Sequence, residues 1–351
     1  MSVNQHGGLL GSVLIFLGCV PGTIGVWCGE PDAAALAAEG AALSASTLPP
    51  DLGPPPKGFR SRAEVMVAIG LKTLKLIAPQ TDVPPDVIET KNLEYGKVGE
   101  RSLQLDLYQP AQLQKPVPAL VFIHGGGWSS GSRDIYKYYT VRYAQRGYVA
   151  ATISYRLAGE APFPAAVEDV KCAVRWLRAN AAKYRIDPEK VAAIGGSAGG
   201  HLAMMLGYSA GASELEGHGG NPAVSSSVQA VINFYGPYDM TTPFAQTNGT
   251  VKRFLSQKTY QEAPELYEKS SPAHYLRAGA PPTLIIHGTI DDTVPIDQAD
   301  RLARRLNELK VAFVYDRLDG WPHTLDLVEP VNERCQQLMN RFLAQHLPLP
   351  R

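Results

Sequence analysis

From residue 87 onward, apolar positions recur with two alternating periods, one of two residues and one near 3.6. Val87 to Tyr95 and Leu103 to Tyr108 alternate residue by residue across Gly96-Lys97-Val98-Gly99, as an antiparallel pair does. Ala119 to Ile123 is a continuous apolar run that ends at His124 and three glycines. The helical period takes over in Tyr136 to Arg146, and a buried strand is predicted over Val149 to Ser154. A long helix follows over Phe163 to Ala182, with Val167, Val170, Ala173, Val174 and Leu177 on one face. Further strands are predicted at Val191 to Ile194, Val228 to Phe234, Thr283 to Ile286 and Val311 to Leu318, and helices at Ala198 to Tyr208, Asp297 to Leu309 and Val331 to His346. Strands separated by helices of this length imply an α/β fold: a mostly parallel central sheet covered by helices on both faces. Ser209 to Ser227 and Thr241 to Ser271 fall outside the alternation and are expected to form a small insertion cap over one end.

The amino end has a different texture. Leu9 to Val20 is an apolar run too short to span a bilayer and of the size of a signal-peptide core, although Met1 to Gly8 carries no Lys or Arg. Ala-rich sequence follows, with a small-residue cleavage candidate at Leu43-Ser44-Ala45. The expectation is an exported chain with an atypical signal peptide and no stable membrane span after processing. Competing readings are lipid anchoring at Cys19 and a buried amino-terminal helix. Stacked prolines in Thr47 to Lys57 predict an extended linker, and a short amphipathic helix is expected over Ala63 to Ile77. The predicted organisation is therefore leader 1–45, linker and helix 46–86, and one catalytic domain 87–351.

Composition narrows the classes. Lys+Arg 33 balances Asp+Glu 33, which argues against nucleic acid as a partner. Hydrophobic residues at 45% suit a chain with a large core. Four cysteines without a CxxC pair exclude a disulfide scaffold and give no zinc pattern. Cleavage near Ala45 would remove three acids and leave a slightly basic chain, about +3.

Ligands of such sheets bind beyond the carboxyl ends of the strands. There, Gly195-Gly196-Ser197-Ala198-Gly199 sits between a strand and a helix, the context of a nucleophile elbow, and marks Ser197 as nucleophile. His124-Gly125-Gly126-Gly127-Trp128 ends the preceding strand. Its glycines let backbone N–H groups approach a developing oxyanion, so Gly126 and Gly127 are the expected donors, with Ala198 as the third. His124 is expected to brace this loop, and Trp128 to be either a pocket wall or a lid on the loop. His323, on the loop after the last strand, is the expected base, since His201 should point away from Ser197 and His287 lies in a strand. Asp291 and Asp292 are adjacent candidates for the acid, and only one can face the histidine. Tyr155, Tyr235 and Tyr238 stand at strand ends as candidate substrate-pocket residues, and Arg156 as an anchor for a nearby carboxylate. Neither HExxH nor a dinucleotide glycine fingerprint is present, so neither metal nor cofactor is expected.

Taken together, the glycine loop, Ser154-Tyr155-Arg156-Leu157, the elbow through His201, Tyr235-Gly236-Pro237, His287 to Pro295 and the late Gly320 to His323 resemble the α/β-hydrolase superfamily. Within it, the chain is similar to the bacterial feruloyl-esterase-like and hormone-sensitive-lipase-like carboxylesterases. The resemblance runs from about Val87 to His346. It implies an α/β-hydrolase fold, a serine hydrolase acting on small or carbohydrate-linked esters, and Asp291 as the acid, three residues before the Val294-Pro295 pair. Gly196 stands where the lipase branch usually has Asp, which leans the chain toward the feruloyl-esterase-like side. Two alternatives share the layout: a prolyl-oligopeptidase-like peptidase, which normally carries a large extra domain, and a non-catalytic ligand receptor. Oligomeric state is not legible in the sequence.

Overall fold

The computed structural model describes residues 32–80 and 82–350; the apolar run Leu9 to Val20 and Cys19 lie outside the described residues. Eight strands, β1 Val87–Val98, β2 Arg101–Pro110, β3 Val117–Ile123, β4 Val149–Ile153, β5 Ile186–Gly196, β6 Ala230–Phe234, β7 Thr283–Gly288 and β8 Phe313–Leu318, form one sheet. Its order is β1-β2-β4-β3-β5-β6-β7-β8. The β1–β2 and β2–β4 pairs are antiparallel, and every pair from β4–β3 to β7–β8 is parallel. β3, β4, β6 and β7 are buried along their whole length, and each is mostly apolar, β3 continuously so from Ala119 to Ile123.

Alternate residues of each strand feed opposite layers. Val121, Ile123, Ala193, Val231 and Ile285 pack under three helices: α4 Ala165–Ala179, α6 Ala198–Tyr208 and α11 Asp297–Glu308. Leu120, Phe122, Ile194, Ile232 and Leu284 pack under α3 Lys137–Gln145 and α12 Glu329–His346. The long helix expected to Ala182 breaks at Asn180 into α4 and a single turn, α5 Ala181–Tyr184.

The amino-terminal boundary differs from the expectation. The Ala-rich segment forms helix α1, Ala33–Thr47, which lies along the free edge of β8. Leu36 is buried there, and Glu39 pairs with Arg304 at 2.5 Å. Ser44 Oγ and Thr47 Oγ1 accept the edge amides of Arg317 and Tyr315 at 3.1 and 3.0 Å. The small residues that read as a leader are what permit this approach: a side chain at Gly40 would overlap Asp300. The boundary drawn at residue 45 therefore falls inside a packed helix, and Ala33–Arg351 is one compact unit.

The proline segment is held rather than loose. Phe59 N donates to Gly320 O at 2.8 Å, and Trp321 Nε1 donates to Pro56 O at 3.1 Å. Helix α2, Arg62–Gly70, is shorter than expected; beyond Gly70 the chain turns, and Leu76 bridges Val328. Of the two insertions, only the second reaches the pocket, through α7 Pro243–Thr247 and α8 Gly249–Phe254; α9 Pro264–Lys269 follows within it, and α10 Pro272–Tyr275 comes just after it. The first lies against α4, where Glu216 accepts from Lys171 and Arg175 at 2.8 and 2.6 Å.

Candidate active site

Ser197 sits between the end of β5 and the first turn of α6, with φ 58° and ψ −125°. A non-glycine residue holds such a conformation only when its surroundings impose it. Here they do: a Cβ at Gly195 would lie 2.2 Å from Gly199 O, and one at Gly199 would lie 1.9 Å from Ile123 O. The turn closes against β3 because those positions lack side chains. The Ser197 hydroxyl is left half-buried at the amino end of α6, where the helix dipole is positive.

Beside it, the loop after β3 folds back on itself. Gly126 O accepts from Ser129 N and Ser130 N at 3.1 and 3.0 Å, with φ 103° at Gly126 and 59° at Gly127. His124 stacks on Tyr155 at 4.4 Å, its Nδ1 lies 2.8 Å from Gly125 O, and Tyr155 OH donates to His124 O at 2.9 Å. His124 thus braces the loop. Trp128 stacks on Phe254 at 4.5 Å and donates through Nε1 to His201 Nδ1 at 3.2 Å, while His201 Nε2 donates to Ser270 O at 2.7 Å. The insertion is thereby tied to the glycine loop, and Trp128 is both packed against it and part of the pocket wall.

His323 and Asp291 meet from two loops. His323 Nδ1–H donates to Asp291 Oδ2 at 2.6 Å. The other carboxylate oxygen accepts from Thr293 N and Val294 N, both at 2.9 Å. His287 approaches as well, its Nε2 lying 2.8 Å from Val294 O and 3.2 Å from Asp291 Oδ2. Burial pushes the Asp291 carboxyl up, yet hydrogen bonds from His287 and His323 outweigh it and hold the group well below the usual carboxylate range. Asp292 turns outward and pairs with Arg62 at 3.3 Å, both side chains exposed. The two adjacent aspartates are thereby separated.

Ser197, His323, Gly126, Gly127 and Ala198 line one pocket of about 760 Å³, open at the carboxyl ends of the strands. Among the described residues, no hydrogen bond joins Ser197 to His323. Of the candidate pocket residues, Trp128 and Tyr235 line it, whereas Tyr155 and Tyr238 do not. Tyr155 is occupied by the His124 loop, and Tyr238 is buried behind the strand end, its amide bound by Gln298. Arg156 holds Asp169 through Nε at 2.9–3.0 Å.

The structure adds a polar floor that the sequence reading did not include. Buried Asp326 accepts from Tyr235 OH and from Tyr139 OH, the latter at 3.1 Å. Burial pushes its carboxyl up despite both bonds. Tyr136, Tyr139 and Asp326 all line the pocket, and the Tyr235 ring lies 4.6 Å from that of His323. The only sequence signal was Asp326 following His323 by three residues. Among the described residues, no group of three or more His, Cys, Asp or Glu side chains is placed to hold a metal ion.

Residues 105–306, more than half of the chain, match the family model for BD-FAE. The chain belongs to the BD-FAE family. It has the α/β-hydrolase fold of the carboxylesterases. Esterase LipC of Mycobacterium tuberculosis is 36% identical over 222 residues, 61% of this chain and 55% of LipC. The chain thus spans little more than half the length of that curated relative. Among solved structures, Thermogutta terrifontis esterase 2 phosphonylated by sarin is 27% identical, with a TM-score of 0.66 over 78% of this chain and 100% of that one. A truncated carbohydrate esterase from gut microbiota is 25% identical, with a TM-score of 0.63 over 75% of this chain and 100% of that one.

Proposed function

We propose that the protein is a serine carboxylic-ester hydrolase in which Ser197, His323 and Asp291 act as nucleophile, base and orienting acid. The observation that carries this reading is the convergence, in one pocket, of a strained elbow serine and a histidine anchored at 2.6 Å to a carboxylate. With Nδ1–H committed to Asp291, His323 presents Nε2 as the acceptor that a serine hydroxyl needs. His323 takes the Ser197 proton, and the alkoxide attacks the ester carbonyl. The oxyanion is received by the amides of Gly126, Gly127 and Ala198. The imidazolium, stabilised by Asp291, protonates the leaving alcohol, and water then hydrolyses the acyl-enzyme by the same route. Apo hydrogen bonds between nucleophile and base are often long and tighten with substrate, which accommodates the open Ser197–His323 pair.

The sarin-phosphonylated relative supports a nucleophile of this kind, a role this reading gives to Ser197. The carbohydrate esterase neighbour supports small or carbohydrate-linked esters as substrates. A p-nitrophenyl acetate assay tests the reaction: turnover and fluorophosphonate labelling are expected from the wild type and lost in Ser197→Ala. A wild type with neither would sink the proposal. Acetyl-xylan, methyl ferulate and short p-nitrophenyl esters, compared side by side, sort the alcohol and acyl preferences. We propose too that the protein is exported, the support being the apolar run Leu9 to Val20.

A further inference from the structure

Helix α2 departs from the pattern of a surface helix, whose outer side is normally polar. Its inner side buries Val65 and half-buries Ala68 and Ile69. Its outer side runs Ala63, Met66, Val67, Gly70 and Leu71, the spacing of one helical face without a charge on it. Met66 and Val67 are 57% and 60% exposed and Leu71 70%. Leu76, after the turn, is exposed as well.

Cations border this apolar face. Between residues 57 and 76 stand Lys57, Arg60, Arg62, Lys72 and Lys75, all exposed, against Glu64; with Asp292, which pairs with Arg62, the local balance is still +3 in a chain whose total is zero. The face also runs into the pocket mouth. Ile77, next to Leu76, lines the pocket and donates its amide to Leu327 O at 2.8 Å. Leu327 and Ile135, both exposed, line the same mouth.

We infer that α2 and the segment through Leu76 seat the protein on an anionic lipid surface. Met66, Val67, Leu71 and Leu76 enter the boundary between headgroups and acyl chains, and the surrounding cations meet the phosphates. Charge complementarity decides against a second copy, since two such faces would set one cationic rim against another. Nucleic acid leaves the apolar face without a partner. A lipid surface satisfies both features and brings the pocket mouth up to the acyl region, where an ester with little water solubility resides. The inference concerns α2 and the segment through Leu76 and does not depend on the ester chemistry.

The test uses the full chain and sedimentation with mixed phosphatidylcholine–phosphatidylglycerol vesicles. Met66→Ser/Val67→Ser/Leu71→Ser should weaken partitioning by about tenfold or more through lost apolar insertion. Lys72→Gln/Lys75→Gln should weaken it roughly thirtyfold, from about 1 kcal/mol for each lost cation at the surface, and added salt should weaken it too. Circular dichroism and hydrolysis of a water-soluble short ester should be unchanged in both variants, because none of these side chains lines the pocket. The inference is overturned if the wild type does not sediment, if the serine variant sediments like the wild type, or if pure phosphatidylcholine vesicles bind as well as the mixed ones. Because the apolar run Leu9 to Val20 stays in every protein compared, binding through it would appear as variants that sediment like the wild type.

Discussion

The hydrogen bonds around Asp291 explain why one of two adjacent aspartates is engaged. Thr293 N and Val294 N hold its Oδ1, which leaves Oδ2 for His323, while Asp292 is drawn outward by Arg62. Asp291→Asn should therefore lower kcat by about 10⁴-fold through loss of the correct imidazole tautomer, with Asp292→Asn near wild type in the same p-nitrophenyl assay. The motif alone left the pair open, and the resemblance chose between them. Asp326 was beyond reach in any linear reading, since its partners Tyr235 and Tyr139 lie 91 and 187 residues away. His201 gives a pH prediction. Its Nδ1 must remain an acceptor for Trp128, and burial, only partly opposed by the Ser270 carbonyl, pushes its pKa down to about 4. The unfolded chain, with histidine near 6.5, binds a proton first as pH falls, so this contribution is intact above about 6.5 and lost progressively toward 4. From pH 7 to pH 5 the stability drop should be about 2 kcal/mol larger in the wild type than in His201→Gln. Urea melts at the two pH values measure it, and equal slopes would remove His201 as the source.

At the level of elements, legibility followed burial. Ala198 to Tyr208 was legible to the residue because strand, glycine turn and helix meet there, and β3 was visible as an uninterrupted apolar run from Ala119 to Ile123. Helix α1 was not legible as a packed helix because Ala, Gly and Ser carry no strong apolar stripe; its fit depends on smallness, which reads the same in a leader. What it does is cover an edge. β8 ends the sheet, and exposed edges invite pairing with other chains. Ser44 and Thr47 satisfy two of its amides with hydroxyls. The double variant Ser44→Ala/Thr47→Val keeps the helix but strands both donors, and should cost about 2 kcal/mol in denaturant melts while increasing aggregation on heating. Gly199→Val is a harsher case. Its side chain would meet Ile123 O within van der Waals contact, so soluble folded protein should not be recovered, whereas Gly249→Ala, which faces open space, should fold normally.

For the whole molecule, the placement of α1 constrains how export would proceed. A cut near Ala45 divides α1: it discards Leu36 and the Glu39–Arg304 pair, and leaves Thr47 on a frayed end beside β8. The compact unit begins at Ala33, so processing that preserves it must fall upstream, after the apolar run. Such a cut removes at most Glu30 and Asp32 among the acids and no base, giving a mature charge between 0 and +2 rather than the +3 expected from cleavage at Ala45. Intact-mass measurement of protein recovered from the export fraction distinguishes the two. The expected species retains Ala33–Thr47, and a version truncated to begin at Ser46 should melt several degrees lower, because Leu36 alone contributes about 2–3 kcal/mol when buried. A recovered chain that starts at Ser46 and melts like the longer one would show that β8 does not need its cover, and the argument from edge protection would fall with it.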